Sequence, residues 1–231
     1  MSYFENKFFL LALTFGIFLL ARFLQKKTGF LLLNPILITI AILIIFLKST
    51  GISYETYNEG GHLIEFWLKP AVVALGVPLY LQLEQIKKQL LPIILSQLAG
   101  CFIGVVSVVG IAYALGATQQ TILSLASKSV TTPIAMEVTN AVGGIPALTA
   151  AVVVCTGLFG GILGFKVMKL FKVKSSTAQG LSMGTAAHAL GASTAMGISN
   201  KYGAYASLGL TLNGIFTALL TPSILRLIGF L

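Results

Sequence analysis

The stretch SKSVTTPIAMEVTNAVGG, residues 127–144, decides the fold because it places polar and helix-breaking residues inside a strongly apolar chain. Pro133 has no N–H, and its ring clashes with the carbonyl four residues earlier, that of Ser129. A continuous helix through this point is therefore not expected. The sequence predicts two half-helices broken near Thr132 and Pro133, in a segment that turns back on itself.

The composition around this stretch is that of a membrane protein. Of 231 residues, 56% are hydrophobic and 9% are charged, against roughly 25% charged residues in soluble domains. We predict an all-α integral membrane protein in the bilayer, with about seven spanning helices plus one re-entrant or broken segment. The net charge of +9 is typical of cytoplasmic loops rich in lysine and is not taken as a nucleic-acid signal. The composition does not favour an enzyme.

Apolar runs divide the chain into spans. Helices cross a bilayer with roughly 17 to 25 residues, and such runs lie at Phe8 to Leu24, Leu31 to Leu47, Leu68 to Leu83, Leu90 to Leu115, Ile145 to Met168 and Ala204 to Ile228. The segments 121–142 and 181–199 are rich in small residues, which let helices approach closely in lipid. We expect these two segments in the interior of the protein.

Basic residues predict the orientation. They follow the first span, the third span and the run that ends at Met168, and lysines and arginines favour the cytoplasmic side. The N-terminus is therefore predicted outside and the C-terminus inside. The loop 166–174, which carries four lysines, lies inside only if segment 121–142 does not cross the bilayer. The charge pattern thus independently predicts a re-entrant segment.

Two short matches indicate an internal repeat. AVVALG at Ala71 resembles AAHALG at Ala186, and LAGCF at Leu98 resembles LNGIF at Leu212, at nearly constant spacing. We predict repeats 31–115 and 145–229 within a single transmembrane domain, residues 1–231, in the inverted arrangement of many secondary transporters. Chance similarity among small apolar residues is the alternative.

The break supplies the first candidate site. Thr131 and Thr132 are suited to cap the second half-helix, whose first N–H groups form the positive end of a helix dipole and an anion site. Lys128 is predicted near the substrate, because intramembrane charges are usually functional. Glu137 is expected at a similar depth and tunes the lysine. A proline kink and a purely structural Lys128–Glu137 ion pair are the alternatives.

The stretch GLSMGTAAHALGAS supplies the second candidate site. Gly180, Gly184 and His188 fall four residues apart on one helical stripe, and the two glycines give the GxxxG spacing of close helix packing. His188 is a candidate for substrate binding or proton exchange, with packing as an equally weighted alternative. Further interior polar candidates are Thr185, Asn34 and Asn213.

Other chemistries are not favoured by the sequence. The chain has two histidines, two cysteines and no aspartate, and no GKS or GKT follows a glycine-rich loop. Metal, P-loop and catalytic-triad interpretations therefore fail, and we expect no cofactor. Cys101 and Cys155 both lie in apolar runs, which predicts buried packing without a disulfide.

The motifs KSVTTPIAMEV, LLNPILI, KPAVVALGVPLY and GTAAHALGAS together resemble the LrgB/CidB family of bacterial membrane proteins. Family members have been called antiholin-like regulators of murein hydrolase export and lysis. The related plastid protein is a glycolate/glycerate translocator, and bacterial relatives are associated with pyruvate uptake. The motif positions that carry over are Lys128, Ser129, Thr131, Thr132 and Pro133, then Gly184, Thr185, His188 and Gly191.

The resemblance implies several expectations. They are a bacterial plasma-membrane location, a small LrgA/CidA-like membrane partner and a homo-oligomer. The leading functional hypothesis is a carrier for small carboxylates of the pyruvate, glycolate or glycerate type. The alternative is an antiholin-like regulator that carries no metabolite. Many members have a basic residue shortly after the second motif, whereas this chain has residues 192–196 as ASTAM, which bears on the substrate or its affinity.

Overall fold

The computed structural model describes residues 6–28, 33, 35–74, 76–81 and 83–231, and among these residues it contains helices and no strand. The chain divides into two compact units, Met1–Ala74 and Leu75–Leu231. The prediction of an all-α protein is confirmed.

The described part of the first unit contains three helices. They are α1 (Lys7–Thr28), α2 (Pro35–Thr50) and α3 (Tyr54–Ala74), and α1 packs against both of the others. Gly60 lets α3 approach the start of α1 closely, since a Cβ atom there would lie 2.8 Å from the Lys7 carbonyl oxygen. The hydroxyls of Thr14 and Tyr57 lie 3.0 Å apart across the same contact. The predicted candidate Asn34 lies outside the described residues.

The second unit carries the remaining helices. They are α4 (Gly76–Leu81), α5 (Leu83–Lys88), α6 (Leu90–Ala114), α7 (Gln119–Leu125), α8 (Thr132–Val142), α9 (Pro146–Leu170), α10 (Ser176–Met196) and α11 (Asn200–Leu227). The most extensive contact joins α10 to α11, and α9 and α6 pack against this pair.

The long apolar helices fit a bilayer. Among the described residues, α1, α6, α9 and α11 are long and apolar enough to span a membrane, and α2 is a shorter apolar helix. Large side chains of α6 such as Leu91, Ile103 and Tyr113 are more than 60% exposed, which suits a lipid-facing surface. The predicted span from Leu68 to Leu83 falls on α3, α4 and α5, with residues 75 and 82 outside the description. The number of crossings and their direction remain predictions.

The opening stretch forms a helical hairpin. Residues 126–131 are non-helical, α8 begins at Thr132, and Pro133 lies in its first turn. Ser127 Oγ donates to the Ala135 carbonyl at 3.0 Å, and the Ile145 N–H donates to Ser124 Oγ at 2.7 Å. Ser127, just after α7, thus meets the start of α8, whereas Ser124 within α7 meets Ile145 beyond the end of α8. The two helices therefore run antiparallel. With 7 and 11 residues, neither is long enough to span alone.

The hairpin is held by buried hydroxyls. Thr149 Oγ1, on α9, lies 2.9 Å from both the Ser124 carbonyl oxygen and Thr139 Oγ1, and its single hydrogen is shared between these acceptors. Thr139 Oγ1 lies 3.1 Å from Ser127 Oγ. These side chains are fully buried. Separating buried polar groups from their hydrogen-bond partners costs much free energy, because no water replaces the partner. The turn is therefore fixed by contacts on α9 as well as by the proline.

The glycines of α10 lie against the backbone of α11. A Cβ atom on Gly180 would lie 2.8 Å from the Tyr202 carbonyl oxygen. A Cβ atom on Gly184 would overlap the Ala206 carbonyl oxygen and would lie 2.7 Å from the Leu210 nitrogen. Only glycine fits at this separation, so the structure shows the close packing that the GxxxG spacing predicts.

α10 is interrupted at His188. This residue has φ 42° and ψ −132°, a conformation outside the helical region. His188 Nε2 lies 2.9 Å from the Val153 carbonyl oxygen of α9, and its ring lies against Gly157. The prediction that His188 shares the stripe of Gly180 and Gly184 is wrong, because the break turns the side chain toward α9 while the glycines face α11.

Candidate functional site

A cavity of about 570 Å³ lies in the second unit, between α6, α10, α11 and the link 126–131. It follows α10 from Ser175 to Ala186, which at 1.5 Å per residue is a length of roughly 15 Å. Its polar and charged lining residues are Gln89, Ser96, Gln97, Cys101, Lys128, Ser129, Ser175, Thr177, Ser182, Thr185, Asn213 and Thr217.

Lys128 is the charged residue of this wall. Among the described residues that line the cavity, no other side chain is ionised at neutral pH. The half-buried Lys128 Nζ donates to Ser129 Oγ at 3.0 Å. One ammonium facing a cavity without a carboxylate favours an anionic occupant, since a desolvated charge is stabilised by an opposite charge.

The start of α10 adds a second positive element. Ser175 is its N-cap, with Oγ accepting from the Ala178 N–H at 3.3 Å. Ser175, Thr177 and Ala178 all line the cavity. The N-terminal end of a helix carries the positive end of its dipole and favours anions. The ammonium of Lys128 and the start of α10 therefore both favour an anion in the cavity.

Side chains of three helices meet at the inner wall. Thr185 Oγ1 of α10 donates to Gln97 Oε1 of α6 at 2.5 Å. Gly100 permits this approach, since a Cβ atom there would lie 3.2 Å from Thr185 Cγ2. Cys101 Sγ lies 3.6 Å from Thr217 Oγ1 of α11. The wall between α6 and α10 is therefore polar and closely packed.

Asn213 of α11 joins the two interrupted segments. Its Nδ2 donates to the Ser129 carbonyl at 3.2 Å and to the Thr185 carbonyl at 3.0 Å. Ser129 belongs to the link before α8, and Thr185 precedes the break of α10 by three residues. One buried amide therefore contacts the backbone beside both breaks.

The structure brings four of the predicted site residues to the cavity, namely Lys128, Ser129, Thr185 and Asn213. Asn34 is outside the described residues, and the remaining candidates lie away from the cavity lining. They are Thr131, Thr132, Pro133 and Glu137 on the hairpin, and Gly180, Gly184, His188 and Gly191 in the helix packing. Gly191 is buried against the Met183 carbonyl, across the break.

Two expectations for the hairpin, and the alternative of a Lys128–Glu137 ion pair, differ from the structure. The N-cap residue Thr131 makes no side-chain capping hydrogen bond, although α8 starts where predicted. The first turn of α8 lies away from the cavity lining because Ile134 packs with Val130 and Ala135. Among the described residues no ion pair joins Lys128 to Glu137, which is exposed, whereas Lys128 bonds Ser129.

Several lining residues were missed from the sequence. Gln97 is 3% exposed and is an amide residue in a mostly apolar stretch of α6. Its position in that stretch could have identified it from the sequence. Ser182 and Thr217 carry no comparable signal, because their positions depend on the rotation of α10 and α11. Cys101 is buried as predicted, but Cys155 is exposed on α9, so the expectation of two buried cysteines is wrong for Cys155.

The fold and the site together define a helical membrane protein with interrupted helices around a cationic cavity. A model of the LrgB-like family matches residues 14–227. The chain belongs to the LrgB-like family.

Three similar proteins share one name. The "Antiholin-like protein LrgB" of Bacillus mycoides (strain KBAB4) is 34% identical over 205 residues, which cover 89% of each chain. The proteins of that name from Bacillus cereus (strain B4264) and Bacillus anthracis (strain CDC 684 / NRRL 3495) have the same identity and coverage. No solved structure shows a significant match to this chain.

Proposed function

We propose that the protein is a membrane carrier for small carboxylates of the pyruvate, glycolate or glycerate type. The observation that carries this proposal is a cavity whose described lining holds one charged residue, Lys128, and no carboxylate. The N-terminal end of α10 lines the same cavity roughly 15 Å further along the helix. A volume of about 570 Å³ is within the range of small-molecule sites.

The residues have distinct roles in this proposal. The ammonium of Lys128 pairs with the carboxylate, as in other charge-assisted contacts. The hydroxyl of Ser129 accepts from Lys128 and keeps its own hydrogen for the ligand. Thr185, Gln97 and Asn213 form the inner wall against which the rest of the molecule lies.

The interrupted helices suit alternating access. Broken helices near the midplane bind substrate in several transporter folds, and one bundle then moves against the other. Here Asn213 contacts the backbone of the link 126–131 and the backbone of α10 three residues before the break at His188. In the proposed topology the protein spans a bacterial plasma membrane several times, with the N-terminus outside, and the cavity extends toward the cytoplasmic loop 166–174.

A second function is favoured by the relatives. They are named antiholin-like proteins, and this name supports regulation of a holin-like pore or of murein hydrolase export more directly than it supports transport. In this proposal the protein acts with a small LrgA/CidA-like membrane protein or as a homo-oligomer. Carriage rests on the cavity and its charge, whereas regulation rests on the name of the relatives.

Uptake of labelled pyruvate and glycolate into proteoliposomes separates the two functions. The purified protein is reconstituted alone and with a small LrgA/CidA-like membrane protein. Saturable uptake that an excess of unlabelled carboxylate competes away is expected for a carrier. Folded protein that takes up neither acid in either preparation would contradict carriage and favour the antiholin-like function.

A further inference from the structure

The two halves of α6 have different surroundings. Cavity-lining residues of this helix extend from Pro92 to Val105. From Val105 to Ala112 the same helix packs into an apolar cluster, in which Val105, Val109 and Ala112 are at most 6% exposed. Val105 belongs to both sets. One half of α6 therefore faces open space, whereas the other half is closed against its neighbours.

The apolar cluster closes the path beyond the cavity. It joins α6 to Ile122 and Leu123 of α7 and to Leu225 of α11. Ala126 belongs both to the cluster and to the cavity lining, two residues before Lys128. The site proposed for the carboxylate therefore lies at the boundary between an open half and a closed half of one path.

The polar contacts of α6 with other helices lie at one level, between its two halves. Gln97 Oε1 accepts from Thr185 Oγ1 of α10, and Cys101 Sγ lies 3.6 Å from Thr217 Oγ1 of α11. Among the described residues, no hydrogen bond joins residues 102–114 to another helix. Apolar packing has no directional requirement, so this half can slide against its neighbours without breaking a hydrogen bond. The level of the polar contacts is therefore where α6 can pivot.

The helices around α6 hold one another more tightly. A Cβ atom on Gly160 of α9 would overlap Ala187 of α10, and a Cβ atom on Gly184 of α10 would overlap the Ala206 carbonyl of α11. The hairpin of α7 and α8 is joined to α9 through buried hydroxyls. These contacts leave α6 as the helix of this group that has the fewest fixed partners.

We propose that α6 tilts about this pivot, so that the cavity closes as the apolar cluster opens, while α7 to α11 stay together. The inference rests on the proposed carriage of carboxylates, which needs a site that is reached from each side in turn. Closing the cavity buries apolar lining such as Pro92 and Ile93, whereas opening the cluster exposes Val109 and Ala112. The two arrangements therefore exchange similar surfaces, which suits two states that interconvert.

A linker across the closed half tests the tilt. The rings of Tyr113 on α6 and Phe230 after α11 have centroids 5.7 Å apart. Both are replaced by cysteine in a protein with Cys101→Ser and Cys155→Ala, and a short reversible bis-methanethiosulfonate reagent joins them. Linking is expected to reduce glycolate uptake about tenfold or more, with recovery on reduction, while glycolate binding in detergent changes less than about twofold because the cavity stays open. Undiminished uptake by fully linked protein would overturn the tilt.

The matched control links Phe165 of α9 to Tyr202 of α11, whose ring centroids lie 5.8 Å apart. Both helices pack closely against α10, so this linker is expected to change uptake less than about twofold. Equal loss of uptake in the two linked proteins would overturn the assignment of the movement to α6. Absence of glycolate uptake and of glycolate binding by the wild-type protein would overturn the proposed carriage together with this inference.

Thiol labelling at single positions needs neither a linker nor a paired variant. Val109 in the cluster is 1% exposed, and Val153 on α9 is 0% exposed. Each is replaced by cysteine in the same background, and the rate of maleimide labelling is measured in proteoliposomes. Position 109 is expected to react about tenfold or more faster than position 153, because the cluster opens and the contacts of α9 do not. Equal rates would overturn the tilt.

Discussion

Replacing Gly184 by alanine is expected to prevent stable folding. The new Cβ atom would overlap the Ala206 carbonyl oxygen and lie 2.7 Å from the Leu210 nitrogen, both backbone atoms of α11. Backbone cannot rotate away as a side chain does, so α10 and α11 must separate along their contact. We expect a loss of about 3 kcal/mol or more in the free energy of unfolding, seen as aggregation or as a much lower melting temperature in detergent.

Gly110→Ala is the matched control. Gly110 lies inside α6, and a Cβ atom there would meet nothing within 4 Å. The same chemical change is expected to be neutral or to stabilise the helix by up to about 1 kcal/mol. Similar melting temperatures for the Gly184 and Gly110 variants would contradict the account of the α10–α11 contact.

Replacing Lys128 by methionine is expected to reduce carboxylate affinity by about 10- to 100-fold. Methionine has a similar length without the charge. The change removes an ionised donor, and hydrogen bonds to charged groups contribute about 1.5–3 kcal/mol. Lys128 donates to Ser129 Oγ and has no ion pair among the described residues, so no acidic side chain is left unpaired. Binding of labelled glycolate, followed by competition, measures the loss.

Two further variants control this prediction. Lys128→Arg keeps the charge and should retain more affinity than Lys128→Met, although the planar guanidinium differs in shape. Glu137→Gln changes an exposed residue outside the cavity lining, and we expect an effect within about twofold. If Lys128→Met binds glycolate as wild type does, Lys128 does not contact the carboxylate.

The break of the hairpin was predictable from the sequence because its cause is local. A proline lacks an N–H and would clash with the carbonyl four residues earlier in a continuous helix, whereas it is tolerated in a first turn, and α8 begins at Thr132 as the sequence predicts. The close contact of α10 with α11 was also predictable, since Gly180 and Gly184 recur on one face of a helix. The all-α membrane class follows from composition in the same way.

The break at His188 had no such signal. A non-glycine residue with φ 42° is held by its surroundings, here the bond from its ring to Val153 on another helix. Nothing within α10 indicates this contact. The ion pair between Lys128 and Glu137, which the sequence left open as an alternative, is absent among the described residues for a related reason. Such a pair needs the two side chains to face each other across the hairpin, whereas the link is non-helical, Lys128 bonds Ser129 and Glu137 is exposed on α8.

The lining of the cavity depends on tertiary structure. Asn213 was singled out as a polar residue in an apolar helix, but its two backbone partners lie 84 and 28 residues away in the chain. Gln97 meets Thr185 only because Gly100 lets α6 approach α10. Sequence patterns therefore identify polar residues in the interior. Which of them line the same cavity depends on how each helix is rotated about its axis.

Protection of a cysteine at position 182 tests most directly whether small carboxylates bind in this cavity. Ser182 is exposed and lines the cavity, whereas Ser193 is exposed on the same helix outside the lining. Each serine is replaced by cysteine in a protein whose Cys101 and Cys155 are changed to alanine, and the rate of maleimide labelling is measured. Glycolate or pyruvate is expected to slow labelling at position 182 and not at position 193. Labelling at position 182 that neither acid slows would contradict the account.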